Sequence, residues 1–228
     1  MKKIIIVGSG SNKKIFKKKN TYYICCNASI KRLSTSFYQC IAISESIVGD
    51  KKNIFSSKIN IKGLNNIQSN KIRQEKINLF KKVNCQTLLI FSNKSEKEIK
   101  QKILKLGIKY KHLEILSHRK TFCKIVKHCK IKKLKIIFKK LNFIGIFKFI
   151  IIGKLPLGIK PSVGGVALLW AKSKFDNANI FVDGVGINNR AYYPFGGKFK
   201  KFTYNLSHRE IDKLIIQSVF SKNKKITT

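Results

Sequence analysis

The chain has 228 residues, 43% of them apolar, so it can bury a sizeable core and is not disordered by composition. It carries 49 Lys plus Arg against 10 Asp plus Glu, a formal net charge of +39. Such a surface attracts nucleotide phosphates, acidic glycans and acidic lipids. Lysine is nevertheless interleaved with Ile, Asn, Phe and Tyr along the whole length. These residues share AT-rich codons, so the charge alone does not single out a nucleic acid as partner. No window supplies the roughly 18 uncharged apolar residues of a membrane span, and the apolar run Ile4–Val7 is too short for a signal peptide. The six cysteines, at 25, 26, 40, 85, 123 and 129, form no CxxC pair. They read as small buried hydrophobes in a reducing, cytoplasmic compartment.

Lys2–Val7 has the continuous apolar character of a buried parallel strand. Gly8-Ser9-Gly10 follows at its carboxyl end, a turn that lets backbone approach a phosphate. It is only the first half of a GxGxxG dinucleotide fingerprint, because Lys13 stands in the sixth position. Thr21–Cys26 is a second strand and ends in Asn27, whose amide can donate to a phosphate or ribose oxygen. The alternative is that Asn27 merely caps the next turn. Gln39–Ser44 is a third strand, with Ser44 and Ser46 at its end. Residues 50–71 are polar and patternless. Val83–Phe91 and Tyr110–Leu116 are further strands, separated by an amphipathic helix over Ser95–Leu106 that Gly107 stops. Phe122–Lys154 alternates basic and apolar clusters: a helix pair with solvated lysines, a lid, or a basic helical segment facing an anionic membrane.

Turn, helix and strand signals agree best over Gly158–Ile187. Lys160-Pro161 opens the segment and Ser162 is a natural N-cap. The turn Val163-Gly164-Gly165 would present backbone N–H groups, and Val166, Ala167, Leu169, Trp170 and Ala171 carry an apolar helical face. A short strand, Ile180–Val182, ends at Asp183-Gly184. An aromatic, Gly-rich loop with Tyr192 and Tyr193 follows. Ser207 then reads as the N-cap of a last amphipathic helix, with Glu210 completing a capping box and His208 in the first turn.

The Lys160-Pro161-Ser162-Val163-Gly164 segment, its small-residue helix and the strand ending in Gly184 resemble the substrate-binding segment of CMP-sialic-acid-dependent sialyltransferases, glycosyltransferase families 42 and 29. The N-terminal Lys2–Gly10 stretch is similar to the family 42 opening, with Ser9 where Asn is usual. Val163 replaces the usual second hydroxyl residue, and Gly186 stands where an acidic residue often follows. The resemblance covers residues 1–12, 22–29, 158–187 and 203–215, in that order. It implies a single Rossmann-like α/β domain over residues 1–228, with a small lid formed by about 122–157 or by the aromatic loop. It implies a donor site built from Gly8, Ser9, Gly10, Asn27, Ser44, Ser162, Val163, Gly164 and Gly184, and a catalytic base at His208 followed by Asp212. Tyr192 and Tyr193 would meet the leaving phosphate.

The implied function is transfer of sialic acid, or a related nonulosonic acid, from a CMP-activated donor to a glycan hydroxyl. No cofactor and no metal are expected: the chain has no DxD motif, and Asp183 has no acidic neighbour in sequence. The chain would be cytoplasmic, in peripheral contact with the inner face of the membrane, with no specific nucleic-acid partner. Two rivals stand beside this reading. One is a nucleotide-binding enzyme of another class. An NAD enzyme would carry an acidic residue where Asn27 stands. The other is a charge-driven nucleic-acid or membrane-surface protein, whose binding would collapse with salt.

Overall fold

The computed structural model describes residues 3–8, 14–45, 78–81, 83–129, 131–139, 143–156, 159–185 and 206–220, excepting the side chains of 131, 133, 134 and 206–209. Six strands form one sheet: β1 (Lys3–Val7), β2 (Thr21–Cys26), β3 (Phe37–Ser44), β4 (Asn84–Phe91), β5 (Lys109–Leu116) and β6 (Asn179–Asp183). Their order is β5-β4-β3-β2-β1-β6 and every pairing is parallel. This is a Rossmann-like α/β fold. Parallel strands are covered on both faces, which is why β2 reads Thr-Tyr-Tyr-Ile-Cys-Cys and is buried throughout. Ile24 and Cys26 enter one core, Tyr23 and Cys25 the other, as the two-residue period of a strand requires.

The helices divide between the faces. A short 3-10 helix (Asn27–Arg32) and α1 (Glu96–Leu106) cover one side, where Ile30, Ile99 and Ile103 are buried. Ser95 and Glu98 form a capping box at the start of α1, and Gly107 ends it with a left-handed φ of 65°. The other side holds α2 (His118–His128), α3 (Ile131–Lys139), α5 (Val163–Lys174) and α6 (Leu206–Phe220). From Val163 to Ala171 every residue of α5 is buried. The single apolar face expected there is instead an all-round one. The helix lies on β1, β2 and β3 with α2 and α6 packed over it.

Two local expectations need correction. Helix α6 already begins at Leu206, so Ser207 lies inside its first turn and is not the N-cap. Val163-Gly164-Gly165 is the first turn of α5, not a loop ahead of it. The stretch 122–157 divides in two. Ile125, Cys129 and Ile137 belong to the core, which makes α2 and α3 part of the helix layer. Helix α4 (Phe143–Ile152) is different: Phe143, Ile144, Phe147, Ile150, Ile151 and Ile152 are all exposed.

Among the described residues no helix is long and apolar enough to cross a membrane. Five of the six cysteines are buried and Cys123 is exposed; none is disulfide-bonded. Burial pushes the Cys25 and Cys85 thiols up to about 12, so these two are unreactive near neutral pH.

Candidate functional site

The sheet's order marks one edge as the place to look for a site. The chain builds β1 to β5 in one direction and then returns to place β6 on the far side of β1. In open parallel sheets the crevice outside the carboxyl ends of the strands, at such a reversal, is the usual ligand position. The register aligns those ends: Val7 pairs with Cys25 and Asp183, Cys26 with Ala42, Ser44 with Phe91, and Phe91 with Leu116. Gly8, Asn27, Glu45, Ser92, Ser117 and Gly184 are therefore the first residues past the six strands.

At the β1/β6 end the protein satisfies itself. Gly8 N donates to Asp183 O at 2.7 Å. Arg32, 6% exposed, reaches across from the 3-10 helix. Its guanidinium donates to Gly8 O at 2.7 Å and pairs with Asp183 Oδ1 at 2.8 Å. Ser29 Oγ donates to Val7 O at 2.6 Å. Gly8 leaves no space for a side chain, since a Cβ there would lie 2.2 Å from the carbonyl oxygen of Gly184. A Cβ on Gly164 would lie 2.4 Å from Val185 Cγ1. These two glycines let β1, α5 and the β6 exit touch.

The start of α5 joins the same edge. Ser162 is its N-cap and accepts from Gly165 N at 3.3 Å. Ser162 N donates to Asp212 Oδ1 at 3.0 Å. Asp212, 1% exposed, thus brings a carboxylate from α6 to the positive end of α5, the position an external anion would otherwise favour. Burial pushes its pKa up to about 6, against the pull of the Ser162 hydroxyl and backbone. Asp212 is therefore engaged with Ser162.

Asn27 has a left-handed φ of 51°, which Asn tolerates better than most residues. Its side chain does not cap the 3-10 helix, whose N-cap is Cys26. Its Oδ1 is buried and meets no hydrogen-bond donor among the described residues. An oxygen so placed can accept from a hydroxyl or amino group.

Beyond β3, β4 and β5 a second cluster occupies the same edge. Ser92 Oγ donates to Glu45 Oε2 at 2.8 Å, and Asn93 Oδ1 accepts from His118 N at 2.8 Å. His118 is 4% exposed and begins α2, one residue past the N-cap Ser117. Its ring stacks on Phe91, centroids 4.5 Å apart, and the Lys160 ammonium lies 5.4 Å from the same Phe91 ring. Leu155 N donates to His118 Nδ1 at 3.0 Å. That bond places the ring proton on Nε2, and Nε2 is buried without a partner among the described residues. A buried donor left unpaired costs about 1–3 kcal/mol. Burial, helped by Lys160 and Lys154 and opposed by Glu45, lowers the His118 pKa to about 4. His118 is thus a neutral imidazole in the first turn of a helix. Because Nδ1 is already an acceptor, this ring is a hydrogen-bond donor and not a base.

The structure brings Gly8, Asn27, Ser44, Ser162, Val163, Gly164 and Gly184 to one edge of the sheet. Val163 packs into the core, and Ser44, the last residue of β3, is half-buried. Ser9, Gly10, Tyr192 and Tyr193 lie outside the described residues, as does the side chain of His208 in the first turn of α6. Sequence reasoning passed over His118 and Arg32. The one available signal for His118 was its place directly after the Ser that ends a parallel strand. Arg32 had no local signal, since its partner Asp183 is 151 positions away. Among the described residues no cluster of three or more His, Cys, Asp or Glu could hold a metal ion. Compared with known proteins, the chain matches no protein-family model, no curated protein and no solved structure.

Proposed function

We propose that the chain is a glycosyltransferase of the sialyltransferase kind. It would transfer sialic acid, or a related nonulosonic acid, from a CMP-activated donor to a glycan hydroxyl. The supporting observation is the meeting of four separated sequence pieces at the carboxyl edge of the sheet. They are the ends of β1, β2 and β6 and the start of α5, with the buried Asn27 Oδ1 unpaired among the described residues. In the reaction the acceptor oxygen forms a bond to the anomeric carbon as the bond from that carbon to the phosphate oxygen breaks. The electron pair leaves with CMP. His208 is the proposed base for the acceptor proton, and Tyr192 and Tyr193 the proposed donors to the departing phosphate. No metal is assigned a step.

The test has two parts. CMP and CMP-sialic acid should raise the melting temperature in proportion to the logarithm of their concentration, whereas UDP-sugars and NAD should not. Sialyl transfer to a glycan panel should persist in EDTA. Stabilisation by NAD in place of CMP would favour a nucleotide enzyme of another class. Transfer abolished by chelator and restored by magnesium would overturn the metal-free scheme.

A contact with an anionic membrane surface belongs to the same proposal, and α4 is the observation that favours it. Its ten residues, Phe-Ile-Gly-Ile-Phe-Lys-Phe-Ile-Ile-Ile, span about 15 Å. That is half the hydrocarbon thickness of about 30 Å, so the helix would lie along the surface. Phe143 is 84% exposed, with the side chains of Lys132, Lys135, Lys139 and Lys148 nearby in sequence and also exposed. Vesicles containing phosphatidylserine should co-sediment the protein, and neutral vesicles should do so far less. Phe147→Ser should weaken the binding by about tenfold, as expected for losing one buried aromatic side chain. Binding unchanged by Phe147→Ser would place the contact elsewhere.

A further inference from the structure

The His118 cluster holds one group that its structural role leaves over. Three side chains grip the chain as it leaves α4: Arg119 donates to Ile150 O at 2.8 Å, Asn93 Nδ2 to Gly153 O at 3.0 Å, and His118 Nδ1 accepts from Leu155 N. For this grip the imidazole needs only its Nδ1 lone pair. The Nε2–H on the other side of the ring contributes nothing to it, and no described residue receives it. Lys160, from the segment that opens α5, lies over the Phe91 ring on which His118 stacks, and Lys160, Lys154 and Glu45 all act on the imidazole electrostatically. Glu45 is turned toward the β4 exit, where its Oε2 accepts from Ser92 Oγ at 2.8 Å and lies 3.4 Å from Asn93 N. Among the described residues, the charged groups that act on the ring are two ammonium groups and one carboxylate, and this positive excess beside a fixed N–H donor suits an anion.

We infer that His118 Nε2–H and the Lys160 ammonium form an anion subsite above the carboxyl end of β4, taking a carboxylate or phosphate oxygen of the ligand. This rests on the reading of the strand ends as the donor's cleft and assigns one of the donor's charged groups within it. Lys160 is two positions before the N-cap Ser162, so the subsite adjoins the α5 start. His118 donates as a neutral ring and keeps its proton throughout. It is a binding group, separate from the base assigned to His208. A carboxylate on the nonulosonic acid and a phosphate on CMP offer the same acceptor chemistry, so the ligand probes must distinguish them.

The experiment uses the full chain labelled with 15N-histidine and follows the side-chain 1H–15N signals. His118 is assigned by the loss of its signal in His118→Gln. If that variant does not fold, elimination through His112→Gln, His128→Gln and His208→Gln serves instead. Without ligand His118 should show the neutral Nε2–H tautomer. N-acetylneuraminate, CMP and inorganic phosphate are then added separately. The expected result is that His118 Nε2–H shifts and exchanges more slowly with one class of anion. Movement with N-acetylneuraminate alone assigns the carboxylate, and movement with CMP and phosphate assigns the phosphate. Lys160→Met should weaken that anion about tenfold or more, the range for a lost charged hydrogen bond. A His118 signal unmoved by all three probes overturns the subsite, as does an affinity untouched by Lys160→Met. Stabilisation by CMP with a silent His118 leaves the transferase reading standing and removes the subsite. A responsive His118 in a protein that transfers no sialic acid does the reverse.

Discussion

The two ends of the strand edge are built on opposite plans. At the β1/β6 end, where the sequence signals are loudest, the protein meets its own needs. Arg32 binds Gly8 O and Asp183, Asp212 takes the N–H of Ser162, and Gly8 and Gly164 lie against Gly184 and Val185 with no room for a methyl group. Above β4 and β5, where the sequence offered only a strand end, a buried histidine keeps a proton that no described residue accepts. A glycine-rich signal can therefore mark close packing as readily as ligand approach. Between the two ends lies Asn27, whose buried Oδ1 has no described partner although it borders the self-satisfied side. Among the described residues, the strand edge thus leaves one buried acceptor at the end of β2 and one buried donor at the start of α2 without a partner.

The largest effect is expected at Gly8. A methyl group 2.2 Å from the Gly184 carbonyl cannot be absorbed by a rotamer change, because the obstacle is backbone. Gly8→Ala should cost about 3 kcal/mol or more, the upper part of the range for overpacking. It should appear as a lower urea midpoint with little change in slope. A Gly8→Ala variant of full stability would mean that β1 and β6 part without penalty, and the closed description of that end would fail.

The next effect is on turnover. On the proposed transferase reading, His208→Ala should lower the rate of sialyl transfer about a hundredfold, the ordinary scale for a lost general base. CMP binding by thermal shift should be unchanged, because the nucleotide contacts are assigned to other residues. Since Asp212 is committed to Ser162, Asp212→Asn should not reproduce the His208→Ala loss. If it did, the two residues would act as a pair after all.

How far the sequence reached follows from the range of each interaction. Strands β1 to β6 were legible to within two residues at either end, since a run such as Thr-Leu-Leu-Ile-Phe declares burial locally. Helix α1 was legible from the helical spacing of Ile99, Ile103 and Leu106 and from Gly107 at its end, with Ser95, its N-cap, counted as its first residue. The N-cap Ser162 was equally plain. What occupies the α5 start was not, because Asp212 arrives from 50 positions away. The capping box assigned to Ser207 failed for a related reason. The Ser-x-x-Glu pattern occurs at both Ser95 and Ser207, and only at Ser95 does the helix begin one residue later. His118 needed knowledge of Leu155, Phe91 and Lys160 together, three pieces that only the fold assembles.

The smallest effect is the most discriminating, because in the native protein two opposed contributions hide it. Asp212 at the closed end has a folded pKa raised from 3.8 to about 6. Its protonation therefore adds stability that is fully present below 3.8 and lost as pH rises through 6. His118 at the open end has a folded pKa lowered from 6.5 to about 4. Its neutral form adds stability that is fully present above 6.5 and lost as pH falls through 4. Each shift corresponds to something on the order of 3 kcal/mol, and between about pH 4 and 6 they run against each other. Stability in that window should change less than either group alone would dictate. Asp212→Asn keeps an oxygen for the Ser162 N–H and removes one contribution. Relative to the parent at each pH, it should become progressively less stable as pH falls from 6 to 4. His118→Gln removes the other, so the same comparison should move in the opposite direction. Chemical denaturation at half-unit pH steps would resolve the pair. Two variants whose differences from the parent stay flat across the window would show that neither group is buried as described. Two that slope the same way would show that one of the assigned shifts has the wrong sign.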